Sequence, residues 1–265
     1  MKATHLIPLR GRSSLALGTV SVIGLAAFGW PFLTDPGSAL DSSHAGDAPL
    51  LFVAILPLLA AIVLAELTSG EMDAKSVAML GMLSAVGGAL RALGPGTAGL
   101  EPSFAIIVVG GRVFGRGFGF VLGALTIFSG ALITGGVGPW LPFQMMAAGW
   151  LGFFAGCLPR ATGRMEILWL AGYASISALL FGLVMNLWFW PFASYGPETS
   201  FVPGDPFAAN LFRYGVFYLT TSLIWDLGRA VISLLVIGLA GSALLRALRR
   251  ASRRAAFDAP VVFER

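Results

Sequence analysis

The stretch that decides the fold is residues 104–158, FAIIVVGGRVFGRGFGFVLGALTIFSGALITGGVGPWLPFQMMAAGWLGFFAGCL. Its charged residues are Arg112 and Arg116, and apolar runs separated by glycine-containing turns fill the rest. A helix needs roughly 20 mostly apolar residues to cross the hydrocarbon core of a bilayer. The stretch therefore predicts consecutive membrane helices joined by short connections.

The composition of the whole chain agrees with this prediction. Hydrophobic residues make up 57% of the chain, charged residues only 11%, and the mean hydropathy is +0.84. Soluble domains average about 45–50% apolar and about 25% charged residues. The net charge of +4 lies mostly beside apolar segments, so membrane topology explains it better than nucleic-acid binding does.

Eight apolar stretches are candidate membrane spans, and together they leave no room for a separate soluble domain. They cover residues 15–33, 48–67, 74–93, 104–114, 118–133, 143–158, 167–190 and 211–245. The fourth is short and ends in glycine, so it could be a re-entrant piece. We expect an all-α, polytopic helical bundle.

The basic residues indicate the orientation of this bundle, because short cytoplasmic loops are enriched in lysine and arginine. With eight spans, nearly all basic residues fall on the side of the N-terminus, and only Arg91 and Arg213 fall on the other. This segregation predicts a bacterial cytoplasmic-membrane protein with both termini in the cytoplasm. No clear small-residue cleavage site follows the first apolar run, so we expect the N-terminal segment to be retained as a helix.

Several kinds of chemistry are missing from the sequence. Cys157 is the only cysteine, and the two histidines lie in polar flanking segments, so we expect no disulfide and no metal centre. Neither Lys2 nor Lys75 belongs to a phosphate-binding loop, so any ATP would be hydrolysed by another subunit. No nucleophile with a base is apparent, and we expect neither an enzyme nor a bound cofactor.

Four polar or aromatic residues near the predicted outer helix ends are candidate substrate contacts: Trp140, Gln144, Asn186 and Trp188. A buried amide needs hydrogen-bond partners, which either a substrate or another helix can supply. The tryptophans could cover a planar ring or could simply anchor the helices at the interface.

Tyr214 and Tyr218 lie one turn apart on the last helix, with Arg213 at its start, and could complete a pocket wall; Arg91 is a further candidate substrate contact. Asp226 and Arg229 share a helix face three residues apart. Counted from Leu211 along one helix, Asp226 would lie roughly 22 Å deep, near mid-membrane. Charges at that depth predict a buried ion pair, with a proton relay as the alternative.

A stripe of small residues runs along one face of the third span: Ala74, Ala78, Gly81 and Ala85. Another helix can approach closely along such a stripe, because helix association in lipid depends on packing. That helix could belong to this chain or to a partner subunit.

From Ala74 onward the chain resembles the substrate-binding S components of energy-coupling factor (ECF) importers, which take up vitamins. Four segments carry the resemblance: AKSVAMLGMLSAVGGALRAL at 74–93, FAIIVVGGRVFGRGFGFVLGAL at 104–125, GGVGPWLPFQMMAAGWLGFFAG at 135–156 and SLIWDLGRAVISLLVIGLAGSALLRAL at 222–248. The glycine- and proline-containing loop before Gln144 looks most like S components assigned to cobalamin.

The resemblance implies a six-helix substrate-binding core at 74–250, preceded by two extra helices within 1–73 and followed by a basic tail at 251–265. It implies docking on a transmembrane T subunit through the stripe that starts at Ala74 and Ala78, with two ATPase subunits driving uptake. A vitamin-like small molecule would be the substrate. The alternative is a stand-alone secondary transporter or channel.

Overall fold

The computed structural model describes residues 11–32, 58, 62, 65, 74–94, 99–193 and 195–254. The predicted span 48–67 lies almost wholly outside the described residues, as do the first 10 residues and most of the predicted basic tail. The helices are α1 (Gly11–Phe28), α2 (Ala74–Arg91), α3 (Ser103–Phe114), α4 (Arg116–Thr134), α5 (Leu141–Ala155), α6 (Gly163–Phe189), α7 (Phe207–Thr221) and α8 (Leu223–Arg254).

The described part of the chain is helical and contains no strand, as the sequence predicts. Three segments are long and apolar enough to cross a membrane: Arg116–Thr134, Gly163–Phe192 and Leu223–Arg253. The apolar segments Ser13–Phe28, Ser103–Phe114 and Leu141–Ala155 are shorter. The protein is therefore an all-helical, membrane-associated bundle.

The prediction of one span over residues 211–245 is wrong, because the helix breaks at Ser222. Just before the break, the hydroxyls of Thr220 and Thr221 donate to the carbonyl oxygens of Val216 and Phe217, at 2.8 and 2.7 Å. Such side-chain bonds compete with regular helical geometry. Asp226 consequently lies in the first turn of α8 and not in the middle of a long helix.

Helix α3 is the centre of the bundle. Its 12 residues rise only roughly 18 Å, and Phe104, Ile107 and Val109 are fully buried. Helices α2, α4, α5, α6 and α8 all pack against it. The short, glycine-terminated stretch is thus an interior helix enclosed by protein.

Glycines bring α3, α4 and α5 into backbone contact. A Cβ on Gly111 or Gly119 would collide with the carbonyl oxygen of Gly152, and a Cβ on Gly152 would collide with the carbonyl oxygen of Gly119. Farther along α4, Gly123 abuts the carbonyl oxygen of Ala148 in the same way. These contacts fix the spacing of the three innermost helices.

Helix α1, the first of the two predicted extra helices, packs on α5 and α6. The Phe28 ring meets Phe143 edge-on at a centroid distance of 4.9 Å, and Trp150 donates a 2.9 Å hydrogen bond to the hydroxyl of Ser21. This helix is therefore bound to the core and is not a detached anchor.

We expect Gly152→Ala to destabilise the bundle, because the added methyl group forces α4 and α5 apart at their closest point. Gly172→Ala is the matched control: Gly172 lies within α6 and its Cβ would meet no atom within 4 Å. Thermal unfolding in detergent should show a lower midpoint for the first variant and an unchanged or raised midpoint for the second. Equal midpoints for the two variants would contradict the contact.

Candidate functional site

Five polar side chains meet where several helix ends converge. Arg91 ends α2, Glu101 lies in the loop before α3, and Gln144 sits in the first turn of α5. Asp226 and Arg229 come from the first two turns of α8. We call these five residues the polar chain.

The contacts run from one end of the polar chain to the other. Arg91 donates to Oε1 of Gln144 at 2.7 Å and to Oε1 of Glu101 at 2.9 Å. Arg229 reaches the second oxygen of Glu101 at 3.4 Å and pairs with Oδ1 of Asp226 at 2.6 Å. The polar chain contains two arginines and two carboxylates, so its formal charges sum to zero.

Three glycines make room for the polar chain. The side chain of Arg91 lies against Gly130 of α4, and the Asp226 carboxylate lies against Gly182 of α6. Gly99 has a φ of +84° and packs on the carbonyl oxygen of Trp225, which holds the loop carrying Glu101 against the start of α8. A side chain at any of these glycines would displace its neighbour.

Arg229 is enclosed by aromatic rings as well as by carboxylates. Its guanidinium lies 5.7 Å from the ring centroid of Phe104 and 5.3 Å from that of Phe181. The two rings meet edge-on, 5.0 Å apart. A desolvated cation over aromatic faces gains about 2 kcal/mol, which offsets part of the cost of burying it.

One oxygen of the polar chain has no donor. Among the described residues, Oδ2 of Asp226 is buried without a hydrogen-bond partner. The Tyr218 hydroxyl interacts with this carboxylate, but its long 3.5 Å hydrogen bond goes to the carbonyl oxygen of Leu179. An unpaired buried carboxylate oxygen is costly, so a hydrogen-bond donor or a proton at this atom would be favourable.

The structure brings together some of the predicted substrate contacts. Arg91 and Gln144 touch directly, and Tyr218 lies beside Asp226. The predicted pairing of Asp226 with Arg229 is confirmed. The mid-membrane position of that pair stays a prediction, and the helix on which its depth was counted is interrupted at Ser222.

Other predicted contacts lie outside the polar chain. Asn186 donates to the carbonyl oxygen of Gly182 in its own helix, at 2.9 Å, and not to another helix. Trp140 is 41% exposed, and its indole N–H donates a hydrogen bond to the carbonyl oxygen of Gly136, four residues earlier. Tyr214 donates to the carbonyl oxygen of Leu183. Trp188 is buried and stacks on Phe143, next to Gln144, with an interplanar angle of 12°.

A second charged cluster occupies the opposite end of α3 and α8. Glu166 is 1% exposed and binds both Arg112, at 2.8 Å, and Arg249, at 2.6 Å. Arg112 also donates to the carbonyl oxygen of Leu158. Glu166 therefore ties α3, α6 and α8 together at that end.

Cys157 lies in the loop at the same end. Partial burial raises the pKa of its thiol, although the nearby Arg116 acts in the other direction. The thiol is therefore mostly protonated at neutral pH and is a poor nucleophile.

Glu101 and Glu166 are the two residues that sequence reasoning missed. Glu101 was hidden in a loop, and Glu166 stands at the edge of an apolar run where a carboxylate is ordinarily solvated. The available signal was their position: Glu101 lies just before an apolar helix, and Glu166 lies in the first turn of another. Such acids need a partner once the helices pack.

We expect Glu101→Gln to lower the free energy of unfolding by about 3–5 kcal/mol, because it leaves Arg91 without a carboxylate partner and Arg229 with Asp226 alone. Asp205→Asn is the control: it removes the half-buried pair with Arg213 and should cost about 0–1 kcal/mol. Thermal or denaturant unfolding in detergent measures both. Comparable losses of unfolding free energy in the two variants would mean that Glu101 is not central to the polar chain.

The described residues thus combine an all-helical, membrane-associated bundle with a neutral, buried polar chain at one end and a carboxylate-centred cluster at the other. Comparison with known protein families, with curated proteins and with solved structures finds no match.

Proposed function

We propose that this chain is the substrate-capturing membrane subunit of an ECF-type importer for a vitamin or related micronutrient, with a cobalamin-like compound favoured. It would bind its substrate and leave ATP hydrolysis to two ATPase subunits that act through a T subunit. The observation that carries the proposal is the polar chain: a largely buried set of donors and acceptors at converging helix ends, with one acceptor, Oδ2 of Asp226, lacking a hydrogen-bond partner among the described residues.

The eight-span topology with both termini in the cytoplasm belongs to this proposal. The polar chain and the Glu166 cluster lie at opposite ends of α3 and α8, which supports opposite membrane sides for them. The segregation of the loop arginines then assigns the Glu166 end to the cytoplasm and the polar chain to the outer half of a bacterial cytoplasmic membrane. A substrate captured from outside would reach the polar chain first.

The charge balance of the polar chain supports a neutral or weakly charged substrate. A strongly anionic ligand would have to separate Arg91 or Arg229 from Glu101, and a cation would compete with both arginines. A ring compound bearing hydrogen-bond donors would instead donate to Oδ2 of Asp226, which has no partner among the described residues. Such a ligand adds contacts without breaking an ion pair.

The small-residue stripe supports docking on a partner. Ala74, Ala78, Gly81 and Ala85 are all exposed, whereas the buried face of α2 is formed by residues such as Leu80, Leu83 and Gly87. Gly81 has open space where its Cβ would stand. Within the described part of the chain, no helix covers the stripe, which supports the close helix contact that a T subunit would make.

A stand-alone secondary transporter is the second candidate. A proton relay needs more than one titratable group, and the structure adds Glu101 to the polar chain, linked to Asp226 through Arg229. The free Oδ2 of Asp226 could then accept a proton during each transport cycle.

One reconstitution separates the two candidates. The protein alone is placed in proteoliposomes and offered radiolabelled vitamins with and without a pH gradient. We expect saturable binding without accumulation in the lumen, and weaker binding for Gln144→Ala, because that change removes an acceptor from Arg91. Accumulation that requires the gradient and disappears in Asp226→Asn would favour the secondary transporter, and absence of binding to any vitamin would remove the importer proposal.

We expect Gly81→Leu to prevent recovery of T and ATPase subunits with the tagged protein, because the larger side chain blocks close helix contact. Gly238→Leu is the matched control: Gly238 is also exposed, also lies within a helix and also has no atom near its Cβ position. Quantitative mass spectrometry of the purified complexes measures the ratio of T and ATPase subunits to the tagged protein. Vitamin binding should be unchanged in both variants. Equal recovery with both variants would contradict docking through the stripe.

A further inference from the structure

Helix α8 is longer than a bilayer requires. Its 32 residues rise roughly 48 Å, whereas the hydrocarbon core is about 30 Å thick. Because α8 begins beside the polar chain at Leu223, the surplus falls at the Arg249 end. With α8 entering the membrane at Leu223, its last turns would lie at the level of the lipid headgroups.

One face of α8 changes from apolar to basic at that level. Val231, Leu235 and Leu239 are exposed along its middle, and Leu239 is 84% exposed, as expected for side chains that face lipid. The exposed face continues into arginines spaced by four and three residues, Arg246, Arg250 and Arg253. The opposite face is buried, with Ile237 at 0%, Leu245 at 3% and Ser252 at 8% exposure.

These arginines differ from Arg249, which lies between them in sequence. Arg249 pairs with Glu166, and Glu166 is also held by Arg112. Among the described residues, no carboxylate pairs with Arg246, Arg250 or Arg253. The nearest described acid in this end cluster, Glu166, is buried and already shared by two arginines.

We propose that Arg246, Arg250 and Arg253 form a binding site for the phosphate groups of anionic phospholipids. The three guanidinium groups lie on the same face of α8 that meets the acyl chains. One lipid molecule can therefore contact both the arginines and the apolar side chains of that face. Guanidinium donors pair well with phosphate oxygens. The proposal needs only membrane insertion of α8 and is independent of the transport function.

The proposed site is tested by identifying the lipids that remain bound to the protein after its release from a membrane. Wild-type protein and the variant R246Q/R250Q/R253Q are reconstituted in nanodiscs of mixed phosphatidylcholine and phosphatidylglycerol, then released and analysed by native mass spectrometry. We expect wild-type protein to retain phosphatidylglycerol preferentially. Each arginine near an anionic surface contributes about a fivefold factor, so the triple variant should lose roughly a hundredfold in preference.

Two further variants separate lipid binding from folding. R246K/R250K/R253K keeps the charges and should keep most of the preference. Arg249→Gln breaks the pair with Glu166, so it should lower the thermal midpoint in neutral detergent while leaving the lipid preference intact. The variant R246Q/R250Q/R253Q should instead keep the thermal midpoint in neutral detergent and lose the lipid preference.

Two results would overturn the proposal. One is equal retention of phosphatidylglycerol by wild-type protein and the glutamine triple variant. The other is stabilisation of the detergent-solubilised protein by inorganic phosphate to the same extent as by phosphatidylglycerol, which would assign the arginines to a free anion.

Discussion

The rest of the structure depends on the backbone contact that Gly111, Gly119 and Gly152 allow among α3, α4 and α5. Helices in lipid gain nothing from burying apolar side chains against each other, because lipid tails are equally apolar. Close packing must supply the association, and it is closest where no side chain intervenes. With the three helices at this spacing, α3 can be enclosed by its neighbours although it is too short to cross the membrane alone.

This packing also determines where charges can lie. The interior around α3 consists of fully buried residues such as Ile107, Val108 and Val109, and it leaves no volume for a long polar side chain. Charged residues on the inner helices are consequently found at the two ends of α3, where loops and helix termini leave space. At each end a glutamate joins two arginines: Glu101 joins Arg91 and Arg229, and Glu166 joins Arg112 and Arg249.

The sequence was sufficient for the class of fold and for most helices, because apolar runs such as 118–133 have a length and composition that few other structures explain. It also predicted the pair of Asp226 and Arg229, since residues three apart on a helix are neighbours. The break at Ser222 was not predicted, because three consecutive hydroxyl residues are tolerated in many helices and only the packing of α7 decides their conformation. The same limit applies to the polar chain, whose members come from four separate segments and whose central residue, Glu101, lies in a loop.

The break before α8 gives Asp226 and Arg229 their environment. In an unbroken helix, Tyr218 and Asp226 would lie eight residues, or roughly 12 Å, apart along the helix axis. With α7 and α8 as separate helices, Tyr218 reaches the Asp226 carboxylate while its own helix rests on the carbonyl oxygens of Leu179 and Leu183. Gly182 lies between those two carbonyls and accommodates the carboxylate. A ligand or proton that engages Oδ2 of Asp226 would therefore act on the junction of α6, α7 and α8 together, where a local change can be passed to the whole length of α8.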